Sequence, residues 1–287
     1  MTEKRLRKNA KGLTDGIVYV LLGALGTLWV LPIVYLLYTA LRVQPSTGII
    51  NQLFPKNLKL GFGNFTRLFA DTPFMLWLSN TLIVSVSSCA LTTLFILMVS
   101  YALSRLRFRL RRPIMNVLLV LGMFPGFMSM IAVYFILKAM GLTNSLTALV
   151  LVYSGSAALS YYICKGFFDT LPRAMEEAAL LDGASRLMIF FKITLPLAKP
   201  IVVYTVITSF ISPWCDFIFV NTIISDRNKY TVSLGLYKMI NAEKNSFNDN
   251  FTLFCAGASI VGGIIVTLFM SMQRYYVEGV TGGAVKG

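Results

Sequence analysis

The sequence contains no histidine, and only twelve of its 287 residues are acidic. Without histidine there is no imidazole to ligate a metal, act as a base near neutral pH or pass a proton. Cysteine offers no replacement, because Cys89, Cys164, Cys215 and Cys255 each sit in or beside an apolar run, with no CxxC pair. They read as small buried apolar residues and suggest neither a metal site nor a disulfide framework. A GxxxxGK[ST] phosphate loop is also missing, so the chain brings no nucleotide site of that type. Charged residues make up 13% of the sequence, where soluble domains average about a quarter. What remains is apolar: 56% of residues are hydrophobic, the balance of an integral membrane protein.

The net charge of +14 then reports topology rather than nucleic-acid binding, since the Lys and Arg of membrane proteins gather in short cytoplasmic loops. Six apolar runs, 17–41, 78–103, 114–138, 146–168, 200–224 and 251–272, are long enough to cross a bilayer, which takes about 20 residues. The first is longer than a signal-peptide core of about 7–15 residues and lacks a small-residue cleavage site. Pro32 should bend it, and Pro125-Gly126 should interrupt the third run. A short helix is expected near residues 64–69, within a loop spaced by Pro and Gly. Of the 26 Lys and Arg, 17 fall in residues 1–16, 105–112, 165–199 and 273–287, which places these stretches in the cytoplasm. The expected fold is an all-α membrane protein with six transmembrane helices and both termini cytoplasmic. Its parts are an N-tail 1–16, a six-span domain 17–272 carrying a cytoplasmic segment 169–199, and a C-tail 273–287.

One polar island interrupts the apolar pattern. It reads Glu176-Glu177-Ala178-Ala179-Leu180-Leu181-Asp182-Gly183-Ala184, continuing to Phe190-Phe191-Lys192-Ile193-Thr194-Leu195-Pro196. Residues 174–181 are strong helix formers, Asp169 or Thr170 can cap the helix, and Gly183 permits the turn that ends it. The small side chains of Ala178 and Ala179 let a second surface come close. No nucleophile stands beside a base. The residues describe a short helix, a turn and a second amphipathic segment, either an ordinary connector or a docking surface.

The composite of Glu177-Ala178-Ala179, Asp182-Gly183-Ala184, Leu195-Pro196 and Pro200 resembles the EAA signature of ABC importer permeases, the inner-membrane components of binding-protein-dependent transport. Pro213-Trp214-Cys215-Asp216-Phe217 resembles that family's Trp-Asn-Asp/Glu-Phe segment, with Cys215 in place of Asn. The ending 276–287 is similar to the tail of MalG-like maltose/maltodextrin permease subunits. The resemblance implies a MetI/MalG-like permease fold and an ATP-driven carbohydrate importer, for maltodextrin or another oligosaccharide. It implies a non-catalytic subunit that binds no cofactor itself, with ATP and Mg held by a partner ABC ATPase dimer. A second, MalF-like permease and an extracytoplasmic solute-binding protein are the other implied partners. To ATPase coupling it assigns Glu176, Glu177, Ala178, Ala179 and Asp182, then Gly183, Ala184, Arg186, Leu195 and Pro196. By the same resemblance the C-terminal tail can reach the ATPase dimer.

An ionisable residue inside a span is costly and points to function. Asp216 is the one acidic residue well inside a run, and Thr205, Thr208, Ser209 and Ser212 lead to it at helical spacing. Thr81, Ser85, Ser88 and Thr92 form a second seam. Either seam can line a path or pack against another helix. Candidates for the translocation path are Ser209, Ser212, Trp214, Asp216, Phe124 and Tyr153. Ala258 with Gly262, and Ser259 with Gly263, read as close helix packing. The loop 226–250 is expected to meet the binding protein through Tyr230, Thr231, Asn241 and Asn245, as the resemblance implies. A secondary transporter would place several paired ionisable residues at mid-membrane depth, whereas an ABC permease for a non-sugar solute remains an alternative.

Overall fold

The computed structural model describes residues 2–43, 59–123, 126–241 and 246–284, leaving aside the side chains of 2–14, 127, 246–249 and 275–284. Regular structure among the described residues is helical, apart from a single antiparallel bridge between Arg42 and Leu60. Phe124 and Asn245 lie outside the described residues. The chain divides into two compact units, Met1–Thr72 with Met239–Ile260, and Pro73–Lys238 with Val261–Gly287.

In the first unit, α1 (Thr2–Leu41) runs unbroken through Pro32, and α2 (Gly63–Asp71) realises the short helix expected near 64–69. The tail 1–16 is helical from Thr2, since its Lys, Arg, Leu and Ala are good helix formers. Large apolar side chains on α1 are exposed, Trp29 by 77%, as a lipid-facing surface requires. Asn64 on α2 donates its amide to the carbonyls of Ala40 and Arg42 at 2.9 and 2.5 Å, satisfying acceptors that the end of α1 leaves open.

The second unit is organised around α3 (Phe74–Arg105), which packs against α6 (Leu146–Gly155), α7 (Ala158–Thr170) and α10 (Lys199–Cys215). Its buried positions, among them Trp77, Thr81, Val84, Ser88 and Thr92, recur at three and four residues. Thr81, Ser85, Ser88 and Thr92 are all buried, so this seam brings helices close together. One apolar cluster gathers Val84 with Ala148, Leu149, Val220, Ile223 and Leu234. Another gathers Ile96, Leu97 and Tyr101 with Cys164, Phe168, Phe190 and Ile201. The remaining elements are α4 (Arg111–Met123), α5 (Gly126–Ala139), α8 (Ala174–Leu181), α9 (Arg186–Leu197) and α11 (Ile218–Ile223). Two further helices are α12 (Val232–Asn241) and α13 (Ser246–Ala284).

Several expected spans change shape. The run 78–103 lengthens at both ends into α3, and 251–272 lengthens into α13, which takes most of the expected tail 273–287 into helix. The run 146–168 is two helices bent by 43°, where both the N–H and the hydroxyl of Ser156 turn back to the Val152 carbonyl. The run 114–138 is described as α4 and α5, and Pro125, expected to interrupt it, lies outside the described residues. The run 200–224 stops at Cys215, and a separate short helix, α11, starts at Ile218. Three described helices can cross a membrane by length and composition, and up to six spans result if each bent pair counts as one.

Candidate functional site

The polar island folds as a helix, a turn and a second helix. Gly183 follows α8 with φ +81°, a conformation that costs a residue bearing a side chain about 1–2 kcal/mol. The N–H groups of Asp182, Gly183 and Ala184 return to the carbonyls of Ala178, Leu180 and Ala179 at 3.0, 3.1 and 2.9 Å. The Ser185 hydroxyl then caps α9 by accepting from the Met188 N–H at 3.3 Å. Within α9 the residues Phe190–Thr194 form a widened π turn. A proline ring crowds the carbonyl four residues earlier. For Pro196 that residue is Lys192, inside the widened turn. α9 meets α10 at 86° with the single residue Ala198 between them, so the second amphipathic segment lies across the helix it feeds.

Helical spacing gives α8 two faces. Ala174, Met175, Ala178, Leu181 and Asp182 are exposed, Leu181 by 90%. Leu187, Met188 and Phe191 extend this apolar exposure onto α9. The opposite face carries Glu176, whose side chain is 8% exposed and whose Oε1 accepts from Arg105 Nε at 3.0 Å. The Thr194 hydroxyl donates to the same oxygen at 3.1 Å, and Arg105 Nη2 donates to the Leu171 carbonyl at 3.0 Å. Glu176, assigned to coupling by the motif, therefore faces inward and fastens α8 to the end of α3 and to α9. Nearby, Asp169 accepts from Ser104 at 2.6 Å and pairs with Lys165. Of the other coupling candidates, Glu177, Arg186 and Pro196 are exposed, while Ala179, Ala184 and Leu195 are half-buried.

Between the end of α3 and the inner face of α8 lies a cleft of about 640 Å³. Arg105, Arg107, Arg173 and Arg186 line it together with Glu176 and Glu177, and Leu106, Phe108 and Leu180 complete its wall. Sequence reasoning counted Arg105 only as an orienting charge. Its partner lies 71 residues away, and the signal that could have paired them is a basic residue ending a span that must stand near a motif carboxylate.

The candidate path residues are brought together in part. Asp216 receives the Tyr153 hydroxyl at 3.0 Å on one oxygen and the Phe219 N–H at 3.0 Å on the other, so it caps α11 while holding α6. Ser233 donates to its carbonyl at 2.9 Å. Trp214 is buried against Phe210, ring centres 5.7 Å apart. Ser209 is half-buried and Ser212 exposed, whereas Thr205 is fully buried and bonds back to Ile201 at 2.7 Å. A Cβ at Gly262 or Gly263 would meet nothing within 4 Å, so the close packing expected there is not made among the described residues.

The expected loop 226–250 is helical over much of its length, in α12 and the start of α13. In the short stretch before α12, Tyr230 is half-buried and Thr231 fully buried with its hydroxyl 3.2 Å from that of Ser233, while Asn241, exposed, ends α12. Two asparagines that sequence reasoning passed over fix this loop. Asn80 donates to the carbonyls of Asn228 and Tyr230 at 2.9 and 3.0 Å. Asn144, at φ +58°, accepts from the N–H groups of Ser225 and Asp226 at 3.2 and 3.0 Å.

The chain is similar to known proteins. The chain is 32% identical to the galactooligosaccharides transport system permease protein GanQ of Bacillus subtilis (strain 168) over 275 residues, 94% of each chain. It is 30% identical to the maltodextrin transport system permease protein MalD of Streptococcus pneumoniae over 281 residues, 98% of each. A chain of a bacterial ABC transporter involved in alginate import superposes with a TM-score of 0.76 at 23% identity, covering 93% of this chain and 98% of that one, a likeness of fold. The α8–α9 segment, the ion pair behind it and the Asp216 cap all fall within residues 93–278, which match the model for the binding-protein-dependent transport system inner membrane component. On that match and these identities, the chain belongs to the family of inner membrane components of binding-protein-dependent transport systems, as a transport subunit and not a catalytic one.

Proposed function

We propose that this chain is one of two permease subunits of an ATP-driven importer for an oligosaccharide, maltodextrin or a compound like it. Six spans place both termini and the α8–α9 segment in the cytoplasm, and an ATPase dimer docks on the exposed face of α8. One observation carries the reading: an apolar face presented by Met175 and Leu181 of α8 and by Leu187 and Met188 of α9, with Glu176 tying α8 to α3 from behind. A surface that exposes such side chains on a polar connector is built to be covered. A helix anchored from behind passes displacement on rather than absorbing it. The names of GanQ and MalD and the role of the alginate transporter support a saccharide substrate. The last of these was also solved with a pentasaccharide-bound periplasmic protein, which supports a binding-protein partner. The segment that follows α11 is the stretch we assign to that partner, with Tyr230 half-buried and Thr231 supporting it from within.

Vesicles reconstituted with this chain, its partner permease and the ATPase provide the test. Maltodextrin uptake is expected to require ATP and the binding protein and to survive collapse of ion gradients. Uptake driven by a proton or sodium gradient without ATP would overturn the reading.

A further inference from the structure

Docking on the exposed face of α8 leaves Arg105, Arg107 and Arg173 of the cleft without an assigned role, beside the coupling candidates Glu176, Glu177 and Arg186 that also line it. Glu176 is matched by Arg105, so Arg107, Arg173 and Arg186 face Glu177 alone, and the cleft is net positive. Arg105 itself has a spare donor: its side chain is 2% exposed, yet Nη1 has no hydrogen-bond partner. A buried guanidinium N–H left unsatisfied is costly and calls for an acceptor. Arginine forks suit the oxygens of a phosphate, which accept two parallel bonds.

The place of the cleft narrows the choice of phosphate. It opens where the apolar helix α3 ends, and Arg107, Arg109, Arg111 and Arg112 follow before the apolar stretch of α4 begins. That is the depth of lipid head groups for a helix of this length, and basic pockets between membrane helices on the cytoplasmic side take anionic head groups. Leu106 and Phe108 supply apolar wall where a glycerol and the start of an acyl chain would lie. Ala174, Met175, Ala178 and Leu181 are exposed and do not line the cleft, so a protein seated on them need not fill it. We propose that the arginine cleft behind α8 binds the phosphodiester head group of an anionic phospholipid of the cytoplasmic leaflet. The proposal rests on the orientation given under Proposed function.

The test uses the full chain purified with its partner subunits into lipid discs of equal phosphatidylglycerol and phosphatidylcholine. Mass spectrometry of the released complex counts the phosphatidylglycerol retained. Each arginine in direct contact with a bound anionic head group contributes about fivefold in affinity for it. Arg107→Gln with Arg173→Gln is therefore expected to lower retention about 25-fold. Arg109→Gln with Arg112→Gln makes the same charge change outside the cleft and is expected to leave retention within about twofold. Equal losses from both pairs, or none from either, overturn the proposal. Displacement of the lipid by millimolar inorganic phosphate would assign the cleft to a small free anion, and loss of a partner subunit with lipid retained would assign it to a protein; either result overturns the head-group assignment. If the glutamine pair fails to assemble, titration of phosphatidylglycerol into the wild-type complex decides, because saturable retention supports the site and linear partitioning overturns it. ATP-driven uptake in pure phosphatidylcholine vesicles tests the transporter reading separately, so failure of one is distinguishable from failure of the other.

Discussion

Helix α3 meets a loop at its start and another at its end, and the two junctions are built from different chemistry. At the start, Asn80 and Thr81 hold backbone groups of Asn228, Tyr230 and Val232 through neutral hydrogen bonds of 2.8–3.0 Å. There Gly235 also approaches Trp77 so closely that a Cβ would lie 2.2 Å from the ring. At the end, Arg105 holds a carboxylate, a carbonyl and, through that carboxylate, a threonine of α9. Bonds to backbone fix where a loop runs whatever its side chains are. A buried ion pair instead commits two particular residues to one another and penalises any state that separates them. The first kind of junction suits a loop that must keep its shape, the second a segment that must move together with its helix.

Breaking the charged junction should cost most. Arg105→Ala or Glu176→Ala leaves one buried charge unmatched and is expected to destabilise the purified chain by about 3–5 kcal/mol, read from its unfolding midpoint in detergent. Replacing both partners, as Arg105→Met with Glu176→Leu, should recover much of that loss while uptake stays impaired, since packing then replaces the pair. If the double variant is as unstable as either single one, the charge is not what sets the cost. At the neutral junction, Gly235→Ala forces Trp77 or the backbone to shift and should cost about 1–3 kcal/mol. Trp77→Leu should relieve part of this, a double-mutant cycle that checks the contact. Asn80→Ala strands two carbonyls and is expected to cost about 1–2 kcal/mol by the same unfolding measurement. The smallest effect belongs to an ion pair in water. Arg67 and Asp71 on α2 lie 3.5 Å apart with both side chains more than half exposed, and Asp71→Asn should change stability by less than about 0.5 kcal/mol. A larger change there would mean that charge alone, rather than burial, governs these contacts.

The sequence made the local elements legible and left the long-range partnerships hidden. Residues 174–181 announced a helix and Gly183 its end, because propensity and a positive φ are local properties. The polar seam of α3 could be read from spacing, and its burial follows from helix packing. The meaning of Glu176 could not be read, because a motif glutamate looks the same on an exposed face as on a buried one until Arg105 is placed beside it. Asp216 shows the same limit. Its rarity inside a span marked it as functional, yet its oxygens are engaged by Tyr153 and by the start of α11, so its first task is to shape the chain where α10 stops. The bend after Gly155 escaped notice because the apolar run continues across it.

The right angle at Ala198 has a mechanical consequence. An arm of twelve residues is about 18 Å long at helical rise, and its pivot is a single fully buried residue. A swing of about 10° at that pivot carries the far end of α9 by about 3 Å, so the joint works as a crank. A displacement of several ångströms at the far end of α9 then becomes a small rotation of α10, the helix that carries Trp214 and stops just before Asp216.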